Sequence, residues 1–185
     1  MRILGGQYKG RRFSAGNDLS IRPITNRIKE IIYSVLDDFC DNKIVLDLFS
    51  GSGSLGFEAL SRGAKSVTFV EKEISSIRVL ERNIKALSLT ENEVSIIQSD
   101  ALKFSKMSEM VFELILMDPP FKYMILQQLV DEIFTNNILH PKGILVVHHE
   151  LNNPLLRNDV GYQLIKQKKI GRSLISFILQ EETDV

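Results

Sequence analysis

Residues 44–56, Ile-Val-Leu-Asp-Leu-Phe-Ser-Gly-Ser-Gly-Ser-Leu-Gly, constrain the fold more than any other stretch of the chain. The run from Ile44 to Phe49 is apolar except for Asp47 and reads as a buried strand. Gly51, Gly53 and Gly56 follow in the spacing G-x-G-x-x-G, leading into a helical run from Leu55 to Arg62. Gly51 and Gly53 permit a tight turn and close approach of a ligand to the backbone, and Gly56 permits tight packing of helix on strand. A strand, a glycine turn and a helix in that order predict a nucleotide-type ligand at the strand's carboxyl end.

Asp47 narrows the ligand. A dinucleotide brings anionic phosphates to such a turn, where a nearby carboxylate gains nothing. S-adenosylmethionine brings a cationic ammonium, which a carboxylate complements. Hydrogen bonding of Asp47 to the loop amides is compatible with this role.

The rest of the chain repeats the pattern. Strands are expected at Ser66 to Val70, Val94 to Ile97, Phe112 to Met117 and Ile144 to His148, with a closing pair at Tyr162 to Gln167 and Leu174 to Gln180. Apolar residues at helical spacing mark Ile28 to Asp38, Ile74 to Leu89 and a helix carrying Ile125, Leu129 and Ile133. A short helix or loop covers Ala101 to Met110. Alternating strands and helices predict one α/β domain, a doubly wound, mostly parallel sheet with helices on both faces and ligands beyond the strands' carboxyl ends. Asp47, Glu71, Asp100 and Asp118 all fall at such ends. Glu71, about 20 residues past the glycines, suits a ribose diol. Asp100, followed by Ala101, suits either an adenine amine or the cap of the next helix.

Asp118-Pro119-Pro120-Phe121 carries the acceptor chemistry. Two prolines after a strand rigidify the backbone and leave carbonyls without an internal amide partner. Asp118 and the Pro119 carbonyl can accept the two N–H groups of an exocyclic amine while Phe121 stacks on its ring.

Overall charge names no partner, with 23 basic and 23 acidic residues. Residues 1–30, however, carry Arg2, Lys9, Arg11, Arg12, Arg22, Arg27 and Lys29 against Asp18 and Glu30, an excess of five positive charges. Glycines among short apolar points suggest that residues 1–20 form a basic hairpin extension on a catalytic domain of residues 21–185, facing a polyanion. Cys40, the only cysteine, excludes an internal disulfide and fits a reducing, cytoplasmic compartment. No run is apolar enough for a membrane span. His140, His148 and His149 lack metal-ligand spacing and are read as structure, so no metal is expected.

The motif Asp47-x-Phe49-x-Gly51-x-Gly53-x-x-Gly56 with Asp118-Pro119-Pro120-Phe121 resembles class I adenosylmethionine-dependent methyltransferases acting on an exocyclic nitrogen. Met1-Arg2-Ile3, Gly10-Arg11-Arg12, Arg22-Pro23-x-Thr25-x-Arg27 and the stretch Leu46 to Ala64 are similar to the RsmD family. These are bacterial enzymes that methylate guanine N2 in small-subunit (16S) ribosomal RNA. The resemblance implies a seven-stranded sheet with S-adenosylmethionine held by Asp47, Phe49, Gly51, Ser52, Gly53, Gly56, Glu71, Asp100 and Ala101, with Thr25 at the border. It implies catalysis by Asp118, Pro119, Pro120 and Phe121, and RNA contacts from Arg2, Lys9, Arg11, Arg12, Arg22 and Arg27 within a small-subunit assembly particle. The Asp-Pro-Pro-aromatic motif alone also suits adenine N6 in DNA or RNA and glutamine N5 in a protein. A nicotinamide dehydrogenase fits the glycines but has no use for Asp47 or the Pro-Pro turn. A non-catalytic RNA-binding protein has no use for an intact acceptor corner.

Overall fold

The computed structural model describes residues 1–16, 24–121, 123–155 and 161–181. Seven strands form one sheet in the order β3-β2-β1-β4-β5-β7-β6. They are β1 (Ile44–Leu48), β2 (Ser66–Glu71), β3 (Val94–Gln98), β4 (Phe112–Met117), β5 (Leu139–Glu150), β6 (Tyr162–Ile170) and β7 (Ser173–Gln180). Strands β1 to β5 are parallel, while β7 runs antiparallel to β5 and to β6. The helices are α1 (Asn26–Leu36), α2 (Ser54–Ser61), α3 (Ile74–Leu87), α4 (Ala101–Met107) and α5 (Leu126–Thr135), with a 3₁₀ turn at Asp37–Cys40. The mostly parallel seven-stranded sheet expected from the sequence is therefore present.

Burial on both faces explains the apolar runs of the central strands. Val45, Leu114, Leu116, Val146, Ile175 and Phe177 face a core shared with α1 and α2. Leu46, Leu48, Ile115, Leu145, Val147 and Ile178 face the other, shared with α4 and α5. Thr25 caps α1, its hydroxyl accepting from the Ile28 amide at 3.3 Å.

β5 starts five residues before the expected Ile144. Its pairing with β4 jumps from Phe112↔Leu139 to Leu114↔Ile144, and Pro141 and Gly143 lie in that irregularity. A proline without a ladder N–H is tolerated at such a bulge.

The amino-terminal segment is a hairpin with one bridge pair, Arg2↔Arg12. It belongs to the main body. Ile3 and Phe13 are buried in the core of α1 and α2. Among the described residues, no helix is long and apolar enough to cross a membrane.

Candidate active site

Asp47 projects from β1 on the α2 side, and its Oδ2 accepts the Gly56 amide at 2.8 Å, tying the strand to the first turn of α2. Between them the backbone turns through positive φ at Phe49, Gly51 and Gly53 (63°, 52° and 86°). A methyl group on Gly53 would lie 2.5 Å from Phe57 Cε2 and 2.6 Å from Leu80 Cδ1. One on Gly56 would meet the Phe69 ring and Val67. Gly56→Ala therefore overpacks the helix–sheet contact. It should lower unfolding free energy by about 1–3 kcal/mol in a denaturant titration.

Three of the four carboxylates expected at the strand ends, Asp47, Glu71 and Asp118, lie on or directly after adjacent strands of the sheet. Glu71 accepts the Gly51 amide at 2.8 Å through Oε2 and the Lys72 and Glu73 amides through Oε1. It thus pins the glycine loop to the end of β2. Burial pushes the Asp47 carboxyl up to about 8, and the negative charges of Asp118 and Glu71 add to the rise. Three acids from three adjacent strands therefore act on one small region of the carboxyl edge. Because the folded value lies above the ordinary 3.8, the folded state holds a proton that the unfolded chain has released between those limits. This contribution to stability is complete below the ordinary value and is lost as pH rises toward about 8. Asp47→Asn should flatten that part of the pH–stability profile, measured by denaturant midpoints from pH 4 to 9.

Asp100 caps α4, its Oδ1 accepting the Leu102 and Lys103 amides at 3.0 and 3.2 Å. Of its two sequence roles, capping is the one seen directly, with Ala101 buried behind it. Beside it lies Tyr123, which the sequence reading passed over. The Tyr123 ring meets Phe49 edge-on at 5.0 Å. Its buried hydroxyl has no hydrogen-bond partner, and burial with the Asp100 charge pushes it up to about 12. Ser54, in the first turn of α2, also buries an unpartnered hydroxyl. Buried polar atoms are normally satisfied, so these two orphans fit a polar ligand spanning the loop and the Phe49–Tyr123 pair. A nucleoside bearing an amino-acid tail has groups for both.

Asp118 follows β4 directly. Pro120 O accepts the Tyr123 amide at 2.8 Å, closing the turn, whereas the Pro119 carbonyl accepts no hydrogen bond among the described residues. Phe121 is 36% exposed at the rim. The sequence reading also missed His148, on β5, whose Nδ1 donates to Asp118 Oδ1 at 2.7 Å. Like the acids, His148 directly follows an apolar run, Ile144 to Val147, and that position is its signal in the sequence. His149 is structural as expected, bonded to Ser176 Oγ at 2.8 Å and the Asn153 carbonyl at 2.9 Å. No group of acids, histidines or cysteine suited to a metal occurs among the described residues.

The expected RNA contacts separate spatially. Arg2 and Arg12 face each other in the bridge pair and are exposed, as are Lys9 and Arg27. Arg11 donates to the Leu87 carbonyl at 3.0 Å and lies 5.4 Å from the Tyr8 ring centroid, so it finishes the end of α3. Gln7 bonds the Ser61 carbonyl at the end of α2. Both helix ends precede the amino ends of their next strands, so the hairpin turn with Lys9 and Arg11 sits at the edge opposite the acids. Met1 is at the other extreme, its sulfur 3.3 Å from the Ser52 hydroxyl. Arg22 lies outside the described residues.

A doubly wound sheet with a glycine turn, clustered strand-end acids and an Asp-Pro-Pro-Phe corner defines an adenosylmethionine-type α/β methyltransferase. The chain belongs to the family described as conserved hypothetical protein 95, which matches residues 1–179. It is 33% identical to ribosomal RNA small subunit methyltransferase D of Haemophilus influenzae over 183 residues, covering 98% of this chain and 93% of that protein. With the Escherichia coli protein of the same name it shares 28% over 172 residues, covering 93% and 86%. A solved Escherichia coli structure with the provisional name methyltransferase yhhF superposes with a TM-score of 0.88 at 27% identity, covering 99% of each chain.

Proposed function

We propose that this protein methylates the exocyclic N2 of a guanine in small-subunit ribosomal RNA, using S-adenosylmethionine. One observation carries the chemistry: Asp118 follows β4 next to β1, near enough for its charge to act on Asp47, and the adjoining Pro119 carbonyl accepts no hydrogen bond among the described residues. The RNA and the guanine are supported by the names of the relatives and by the family resemblance, since the corner itself suits any flat exocyclic amine.

The residues present fit the methyl donor. The turn amides and Ser54 would hold its amino-acid end, Glu71 its ribose, and Phe49, Asp100 and Tyr123 the adenine side. When bound, the donor supplies an electrophilic sulfonium methyl. An aryl amine's lone pair is delocalised into its ring and is a poor nucleophile. Asp118 and the Pro119 carbonyl accept its two hydrogens and draw them from the ring plane, which returns the lone pair to nitrogen. The lone pair so presented would face the donor's sulfonium methyl, and Asp118 or water would take the surplus proton. Positioning and electrostatics perform the reaction without a metal.

The deciding experiment offers labelled donor with stripped small-subunit RNA, assembled small subunits and duplex DNA, followed by mass mapping of the product. Methyl-guanine in the RNA or the particle is expected. Labelled DNA alone, or labelled glutamine in protein, would overturn the reading.

A further inference from the structure

We propose that His148 is the strut on which both halves of the acceptor clamp rest, a positioning residue for methyl transfer. The inference rests on the methyltransferase reading above. The His148 side chain is 4% exposed, deeper than that of Asp118 at 22%. Nδ1–H donates to Asp118 Oδ1, while Nε2 is buried without a partner. Because the carboxylate only accepts, Nδ1 carries the proton in this hydrogen bond. That bond fixes Oδ1 and leaves Oδ2 as the oxygen offered to the substrate amine. The same ring meets Phe121 edge-on, 5.8 Å between centroids at 69°. Acceptor and stacking platform are thus indexed to one side chain on a neighbouring strand, set there by the pairing of Met117 with Val147.

The test compares His148→Leu with His148→Asn, whose side-chain amide can donate near the position of Nδ1. A hydrogen bond to a charged group contributes about 1.5–3 kcal/mol, so the leucine variant should lose roughly 10- to 100-fold in kcat. Its affinity for S-adenosylhomocysteine should match the parent. The asparagine variant should recover most of that loss. Wild-type kcat in the leucine variant would overturn the proposal, as would equal loss in both variants when both fold and bind the product. If the parent protein itself methylates no RNA, the functional reading falls first and this inference with it.

A second inference stands on strand register. We infer that the β6–β7 hairpin end, with Lys168, Lys169 and Arg172, grips the RNA backbone beside the target base. His148 pairs with Ile175, and Ile175 with Lys168. Directly paired residues share a face, so Lys168 projects from the same face as His148, about 10 Å away across two strand spacings. Lys169, paired with Leu174, and Arg172 complete the end of the hairpin. All three are exposed, and none forms an ion pair among the described residues. Lysines on an edge strand also deter sheet-to-sheet pairing, but that role does not require them to gather at the catalytic edge. The turn carrying Lys9 and Arg11 lies a strand length away, about 15–20 Å.

The triple variant Lys168→Gln, Lys169→Gln, Arg172→Gln should weaken binding of a small-subunit RNA fragment at least tenfold. Its salt dependence, log K against log salt, should shallow by about 2 if three phosphates of a single strand are released. KM for RNA should rise with kcat and product affinity unchanged, and Lys65→Gln, at the opposite edge, should bind as the parent does. Unchanged affinity and slope would overturn the assignment, and so would a parent protein that prefers duplex DNA. A parent that methylates RNA beside an unaffected triple variant would sink this inference alone.

Discussion

Asp118→Ala protein should bind S-adenosylhomocysteine as tightly as the parent in calorimetry and yet transfer methyl groups at least 100-fold more slowly, a typical loss for one preorganised polar group. The separation follows from where the side chain lies. Oδ1 is held by His148, and among the described residues neither oxygen is hydrogen-bonded to the glycine loop, which is organised by Asp47 and Glu71. Asp118 therefore acts on the acceptor. Asp118→Asn offers a sharper version. Its amide can present an oxygen to His148 only by turning its NH₂ toward the substrate amine, where a donor faces donors. The asparagine variant should be impaired nearly as much as alanine, with kcat rather than the donor's KM carrying the loss. Near-normal turnover in either variant would remove Asp118 from the mechanism.

Much of this site was legible because one periodicity governs it. In a parallel sheet buried on both faces, strands are apolar runs, and a polar residue at or near the end of such a run is placed at the ligand edge. Asp47, Glu71 and Asp118 were found in that way. His148 obeys the same geometry, but its importance depends on β5 lying next to β4, a pairing that the sequence states only weakly. Tyr123 was hidden for a similar reason, since its contact with Phe49 joins loops after two different strands. The basic amino terminus shows what counting residues leaves out. Charge counting treats the cations of residues 1–30 as one patch, whereas among the described residues Arg11 finishes the end of α3 and Lys29 is buried against Glu58. Composition does not distinguish such a buried cation from an exposed one.

Lys29 leads to the largest stability effect. It and Glu58 are both fully buried, with Nζ 3.5 Å from Glu58 Oε2 and 2.8 Å from the Arg2 carbonyl. Glu58 also accepts the Leu4 and Gly5 amides at 2.9 and 2.8 Å and the Arg62 Nε at 3.2 Å. One carboxylate therefore fastens the amino-terminal arm to α1 and α2. Burial holds the Lys29 amine below its ordinary value, with Glu58 as the largest opposing influence. Glu58→Ala strands that cation and two backbone amides at once, and should cost about 3–5 kcal/mol in denaturant unfolding. Lys29→Met removes the charge along with its need for a partner and should cost less. The damage should also reach the donor site, because Asn83 donates to both the Ser14 and Ser52 carbonyls and Met1 abuts the Ser52 hydroxyl. Glu58→Ala should thus weaken S-adenosylhomocysteine binding without any contact to it, while Lys29→Met should spare more of it. A Glu58→Ala protein within 1 kcal/mol of the parent would show that the arm is held by the burial of Ile3 and Phe13 instead, with the ion pair contributing little.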